Sequence, residues 1–376
     1  MPSLASGGEE TEVERVLDAV AGYGFAGCRR SLPAEPLDDA DWPAFLSRVG
    51  QQRLVGLLAA AIDNAAFPVT DDQRKAVAEL QMQVAIATLV LERLLLDVAD
   101  RFDSEKLPFR ALKGSAVAHI DFPDPELRSF GDVDILVRPG DFGRAVAVLE
   151  SMGGRRGVPE LRPGFDRRFG KGAVIKMPAG LEIDLHRTFV AGALGMTIDL
   201  DSLFKRKTPF VLGDRELLAL GPEERFIHAC MNAALGRDVS RHSLRDIAQM
   251  VLNNRLDTDR VVRVAERWRS GAVAARAIEL TWSTLDLADA VPLSAWAGRY
   301  QSRLHERRVL NSYVSGDGSY TRQAISAIRV IPRRRDKLAY ARALLFPQQR
   351  HLEARSSGRF RHLWRGAGHL RGGHTS

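Results

Sequence analysis

The run Arg128-Ser-Phe-Gly-Asp-Val-Asp-Ile-Leu-Val137 constrains the fold of this chain more than any other segment. It is apolar and β-branched, as a strand requires, yet it carries carboxylates at two alternate positions, Asp132 and Asp134. Strand side chains alternate between faces, so both aspartates project from one face and Val133, Ile135 and Val137 from the other. Two like charges held together on a partly buried face repel one another, and a divalent cation between them offsets that cost. The segment is therefore a candidate magnesium site, and sites of this kind serve phosphate chemistry.

A second segment repeats the pattern. Ala173–Met177 and Leu181–Arg187 read as a hairpin about a Pro-Ala-Gly turn. Leu181, Ile183 and Leu185 face one way; Glu182, Asp184 and His186 face the other. If this strand lies beside the first, Asp184 brings a third carboxylate to the same cluster. Three carboxylates can hold two magnesium ions, which grip a triphosphate and activate an attacking hydroxyl. Upstream, Pro108–Lys113 reads as a short strand, with Gly114-Ser115 opening a helix through Ile120. Glycine lets a phosphate approach the backbone, and the free N–H groups of a helix start favour an anion.

Around this α/β unit the apolar spacing is helical. The expected organisation is a disordered stretch 1–12, a helical region 13–105, an α/β core 106–215, a second helical region 216–345 and a flexible basic tail 346–376. The first region resolves into helices over 13–23, 41–65 and 71–103, with Asp71 and Asp72 as caps on the third. Leu89, Leu91, Leu94, Leu95 and Val98 give that helix a broad apolar face, expected to be core. Asp141 is expected to cap a helix through Met152, and Pro222 to start one through Leu235. The fold class is thus α+β, a mixed sheet with flanking helices set between two helical regions.

Composition, 45% hydrophobic and 27% charged, is that of a globular protein. No apolar run reaches the roughly 20 residues that span a bilayer, and the N-terminus lacks a secretory pattern, so a cytoplasmic location is expected. Cys28 and Cys230 make neither a metal spacing nor a disulfide framework. From Arg299 onward there are 17 Arg and Lys against four Asp and Glu. That segment either contacts an anionic partner or is a solvated tail.

The succession Leu112-Lys-Gly-Ser115, Arg128, Gly131-Asp-Val-Asp-Ile-Leu-Val137 and Glu182-Ile-Asp-Leu-His186 resembles the nucleotidyltransferases of the DNA polymerase β-like superfamily. The closer likeness is to its bacterial branch of uncharacterised nucleotidyltransferase family proteins, over roughly residues 40–255, including the Phe226-Ile-His-Ala229 and Leu244-Arg-Asp-Ile-Ala248 helices. The resemblance implies metal-ligand roles for Asp132, Asp134 and Asp184, with Asp184 also the base for an acceptor hydroxyl. It implies that Gly114 and Ser115 contact the nucleotide phosphates and that Lys113 adds positive charge. Arg128 either meets phosphate, orients the aspartates, or forms an ion pair with Asp132 or Asp124. His186 either lines the acceptor site or hydrogen-bonds across the hairpin. His228 is expected in the core, and Arg245 and Asp246 in structural roles. A helical bundle closing over the cleft would bring a polar helix face to the substrate. One departure is Ala116-Val-Ala-His119, where better-known members carry a second small residue and then Arg or Gly.

The implied activity is magnesium-dependent transfer of a nucleoside monophosphate group, with manganese as a substitute ion. The donor is a nucleoside triphosphate, ATP by expectation; the acceptor hydroxyl belongs to a small molecule, peptide, protein or RNA end. Two alternatives share these features: a metal-dependent glycosyltransferase using a nucleotide sugar, and a nucleotide- or nucleic-acid-binding protein without catalysis. The α/β unit is short for the first, and few aromatics punctuate the basic tail that would serve the second.

Overall fold

The computed structural model describes residues 11–236, 239–253, 255–288, 290–314 and 319–356. Four helices lead in: α1 Glu12–Gly22, α2 Trp42–Gln51, α3 Val55–Asp63 and α4 Asp71–Ser104. Three details differ from the sequence reading. Thr11 caps α1 through its side chain, so helix begins inside the stretch expected to be disordered; residues 1–10 lie outside the described residues. The helix expected over 41–65 is two, because Arg53 adopts a left-handed backbone (φ 55°) that no α-helix accommodates. Thr70, not Asp71 or Asp72, caps α4, in a reciprocal box with Gln73 that satisfies two orphan backbone N–H groups.

The central unit follows as β1 Phe109–Ala111, α5 Lys113–Asp121, β2 Val133–Val137, α6 Phe142–Ser151, β3 Arg155–Arg156, α7 Phe165–Arg168, β4 Gly172–Lys176, β5 Glu182–His186, α8 Gly192–Thr197, α9 Ser202–Lys205, β6 Lys207–Leu212 and β7 Arg215–Leu220. These make one seven-stranded sheet in the order β3-β4-β5-β2-β1-β7-β6. The β2–β5 and β1–β7 pairs are parallel and the others antiparallel, so the sheet is mixed, as expected. The helical remainder is α10 Pro222–Ala234, α11 Arg241–Leu252, α12 Thr258–Arg267, α13 Gly271–Thr284, α14 Pro292–Arg299, α15 Leu304–Val314, α16 Ser319–Val330, α17 Arg334–Leu345 and α18 Gln349–Ser356. The segment expected as a flexible tail therefore starts with a helix; residues 357–376 lie outside the described residues.

Alternation along β2 and β5 sorts their side chains between two cores. Val133, Ile135, Ile183 and Leu185 pack with Leu91, Leu94, Leu95 and Val98 of α4 and with Phe142 and Leu149 of α6. Leu136, of opposite parity, joins Leu112, Val117, Phe226 and Ile227 in the core built with the C-terminal helices. Ile135 is fully buried; truncating such a side chain to alanine costs about 2–5 kcal/mol. Leu89 is the exception on α4: expected in the core, it is 65% exposed, because the helix turns that residue away from the sheet. Asp134, Asp184 and His186 share the sheet face that looks toward the C-terminal helices, and the cleft forms there.

Candidate active site

The β2–β5 pairing sets Asp134 directly beside Asp184. His186 lies between them: its Nε2 is 2.7 Å from Asp134 Oδ1 and 3.1 Å from Asp184 Oδ2. One ligand atom from each of Asp134, Asp184 and His186 falls within 4.8 Å of the others, a group that could hold a metal ion. His186 is wholly buried, and its Nδ1 lies 3.3 Å from the Thr188 carbonyl. Its ring thus serves the carboxylate cluster rather than bonding across the hairpin. Asp132, one residue ahead of β2, lies outside this group and lines the cleft.

Two lysines attend the carboxylates. Lys113 Nζ approaches Asp134 Oδ1 at 2.7 Å and Lys171 Nζ approaches Asp184 Oδ2 at 2.6 Å. Burial alone would push both carboxyls up. His186 and Lys113 outweigh it at Asp134, and His186 and Lys171 at Asp184, so both are held well below the usual carboxylate range. Asp132 moves the other way: burial and the neighbouring Asp134 raise it, against Lys113 and Arg53. Burial lowers the Lys113 ammonium, but Asp134 prevails and keeps it cationic.

The turn above them is strained. Lys113 has φ 33°, a region few non-glycine residues adopt, and Gly114 follows at φ 23° and ψ −120°. A Cβ at Gly114 would rest in ordinary contact with the Phe130 ring at 3.4 Å and the Asp132 carbonyl at 3.6 Å, so it is the backbone conformation, not the space, that disfavours a side chain there. The Leu112 N–H donates to the Asp134 carbonyl at 2.9 Å, tying the turn to β2. Ser115 is buried and is not on the cleft wall.

Arg128 does not pair with Asp132 or Asp124. Its Nε and Nη2 donate to the two carboxylate oxygens of Asp246 on α11, each at 2.7 Å, and its Nη1 donates to the Gly114 carbonyl at 3.1 Å. His228 is a core residue, stacked on Phe189 at 4.2 Å; burial lowers its pKa well below the ordinary value and keeps it neutral.

Lys113, Gly114, Arg128, Asp132 and Asp134 border a cleft of about 350 Å³. Its floor is Asp132, Asp134, Lys113 and Gly114; its far wall is Asn232 of α10 with Ser240, His242 and Ser243 at the start of α11. That wall presents a polar helix face to the cleft. Asn232 Nδ2 and Ser240 Oγ both donate to Ser243 Oγ, at 3.1 and 2.8 Å. His242 Nδ1 is buried with no hydrogen-bond partner among the described residues. Arg53, between α2 and α3, closes one side; no ion pair or hydrogen bond engages its guanidinium among the described residues, and Gly131 leaves room for it, its Nη2 lying 3.1 Å from where a Cβ would stand. Lys171, Arg53, Asn232 and His242 were not singled out from the sequence. Arg53, Asn232 and His242 come from segments remote from the strand pair, and Lys171 stands at the open end of the β4–β5 hairpin; no local pattern marks any of them.

A family model described as an uncharacterised nucleotidyltransferase matches residues 38–286. No curated protein matches the chain. Among solved structures, the chain is similar to the solution structure of the antibiotic-resistance factor ANT(2″)-Ia, at 15% identity and TM-score 0.36, covering 48% of this chain and 92% of that one. A crystal structure of ANT(2″)-Ia with adenylyl-2″-tobramycin gives 15% identity and TM-score 0.35, over 48% and 97%. An antigenic nucleotidyltransferase-like protein from Paracoccidioides brasiliensis gives 15% and 0.31, over 54% and 92%.

Proposed function

Because the chain belongs to the uncharacterised nucleotidyltransferase family, we propose that it transfers a nucleoside monophosphate group from a triphosphate, ATP foremost, to an acceptor hydroxyl and releases pyrophosphate. The observation that carries this reading is the Asp134–Asp184 pair, in register on adjacent parallel strands, with Asp134, Lys113 and Gly114 lining a polar cleft.

The donor set fits a divalent cation. Two ionised carboxylates supply the hard oxygens that magnesium prefers, and the His186 nitrogen makes the set equally suited to manganese. Such a cation, held by Asp134 and Asp184 with Asp132 at the cleft edge, would offset charge on the entering and leaving oxygens. The remaining work belongs to the chain's own groups. Lys113 and Arg53 supply positive charge to the triphosphate, and the Gly114 backbone admits the phosphates closely. Arg128, through its bond to the Gly114 carbonyl, holds that turn in place. The acceptor oxygen forms a bond to the α-phosphorus as the bond to the pyrophosphate bridging oxygen breaks. Asp184, ionised and more accessible than Asp134, receives the hydroxyl proton. Holding these groups in one geometry supplies most of the acceleration.

The test is equilibrium binding of each nucleoside triphosphate with and without magnesium, followed by detection of pyrophosphate release. Metal-dependent binding that Asp134→Asn removes is expected; a wild-type chain that binds no triphosphate under any metal would overturn the assignment.

A further inference from the structure

The middle of α4 is apolar and uncovered. Met82, Ile86, Leu89 and Val90 are 62, 55, 65 and 44% exposed, on the opposite side of the helix from Leu91, Leu94, Leu95 and Val98, which pack on the sheet. Contiguous apolar exposure on a helix of this length marks an interaction surface rather than ordinary surface scatter.

The charges that flank this patch indicate what covers it. Lys75 and Glu79 precede it; Arg93 and Asp97 follow it. At about 100° per residue all of these side chains fall within about 60° of the direction of Ile86, so they form one stripe. Read along the helix, the stripe runs positive, negative, apolar, positive, negative. Set antiparallel to a copy of itself about Ile86, it brings Glu79 opposite Arg93, Lys75 opposite Asp97, and Met82 opposite Val90. Set parallel, each charge would face its own like. The ion pairs these residues make within the helix, Arg93 with Asp97 and Lys75 with Asp72, are solvent-exposed and hold them only weakly.

We propose that α4 is a self-association surface, and that two copies of this chain pair through it antiparallel about a two-fold axis at Ile86. The interface is isologous, so each contact occurs twice. A single helix pair lies at the small end of specific interfaces, and the expected dimer is reversible, with a Kd of about 1–100 µM.

Sedimentation velocity of the full chain, from about 1 to 300 µM without ligand, tests this. Wild type should shift from monomer to dimer across the range. Ile86→Glu, at an exposed position, should keep its melting temperature and raise the Kd at least about tenfold. Glu79→Arg and Arg93→Glu, each alone, should weaken association, since each sets like charges opposite one another twice. Mixed one to one, these two variants should restore dimer, because each then meets the opposite charge at both contacts. A wild-type chain monomeric throughout, an Ile86→Glu variant that dimerises as wild type does, or a mixture no tighter than its components overturns the proposal.

Discussion

Arg128 and Asp246 are joined by two hydrogen bonds of 2.7 Å each, across 118 residues of sequence. The pair is buried, and it links the loop before β2 to the helix that forms the far wall of the cleft. Since Arg128 also donates to the Gly114 carbonyl, Asp246 fixes the strained turn indirectly. Removing one partner of a buried ion pair leaves the other charge uncompensated.

Asp246→Ala should accordingly cost about 3–5 kcal/mol in urea unfolding. In protein still folded at low temperature, KM for the triphosphate should rise more than kcat falls, because what is lost is the placement of Gly114. An unchanged KM would show that the pair holds the fold and nothing more.

Asp134→Asn and Asp184→Asn should each reduce pyrophosphate release at least about 100-fold, and chelation of divalent ions should abolish it. With the His186 nitrogen in the donor set, manganese should restore activity to chelated protein at least as well as magnesium. Either variant at wild-type activity would exclude the cluster from the reaction.

Arg53 carries the cleft's uncommitted guanidinium among the described residues, since Lys113 is paired with Asp134 and Arg128 with Asp246. Arg53→Gln should weaken triphosphate binding about tenfold, the size of one charge-assisted contact, with little change in melting temperature. Calorimetric titration compares the two; equal affinities would place Arg53 outside the phosphate site.

Burial, aided by Arg128, pushes the His242 imidazole down to about 4, against the pull of Asp246. Its folded pKa lies below its unfolded value of about 6.5, so between the two the unfolded chain binds the extra proton. This group's contribution is therefore fully present above about pH 6.5 and lost as pH falls toward about 4. With partial solvent access discounted, the loss is about 1–2 kcal/mol. His242→Gln should flatten that acid slope in urea unfolding at pH 7 and pH 5; a slope identical to wild type would contradict it.

The site's central strands were legible because strand alternation is local information. The period-two runs at Asp132–Val137 and Leu181–Arg187 assign their faces without any partner, and both assignments hold. Side-by-side placement of Asp134 and Asp184 needed one further assumption, that the strands are neighbours, which the β2–β5 register satisfies. Where local cues competed, the reading slipped. Thr70 and Asp71 are both good caps, and only backbone geometry chooses between them. Leu89, grouped with the core leucines by composition, stands on the face of α4 turned away from Leu91 and Leu95.

By itself the sequence determined the mixed α/β unit, the shared face of its acidic residues and the glycine turn nearby, because each follows from side-chain period and backbone sterics within a few residues. Tertiary structure alone decided that His186 bridges the carboxylates, that Lys171 neutralises Asp184, that Arg128 belongs to Asp246, and that Arg53 and His242 enclose the cleft. The Arg128–Asp246 pair and the closure by Arg53 and His242 join elements that no spacing rule relates, whereas His186 and Lys171 reach Asp184 within the β4–β5 hairpin, through its register and side-chain conformation. Burial selected the ion pairs: a charge taken out of water needs a partner, and the partner within reach was set by strand register for Asp184 and by the packing of α11 beside α5 for Arg128.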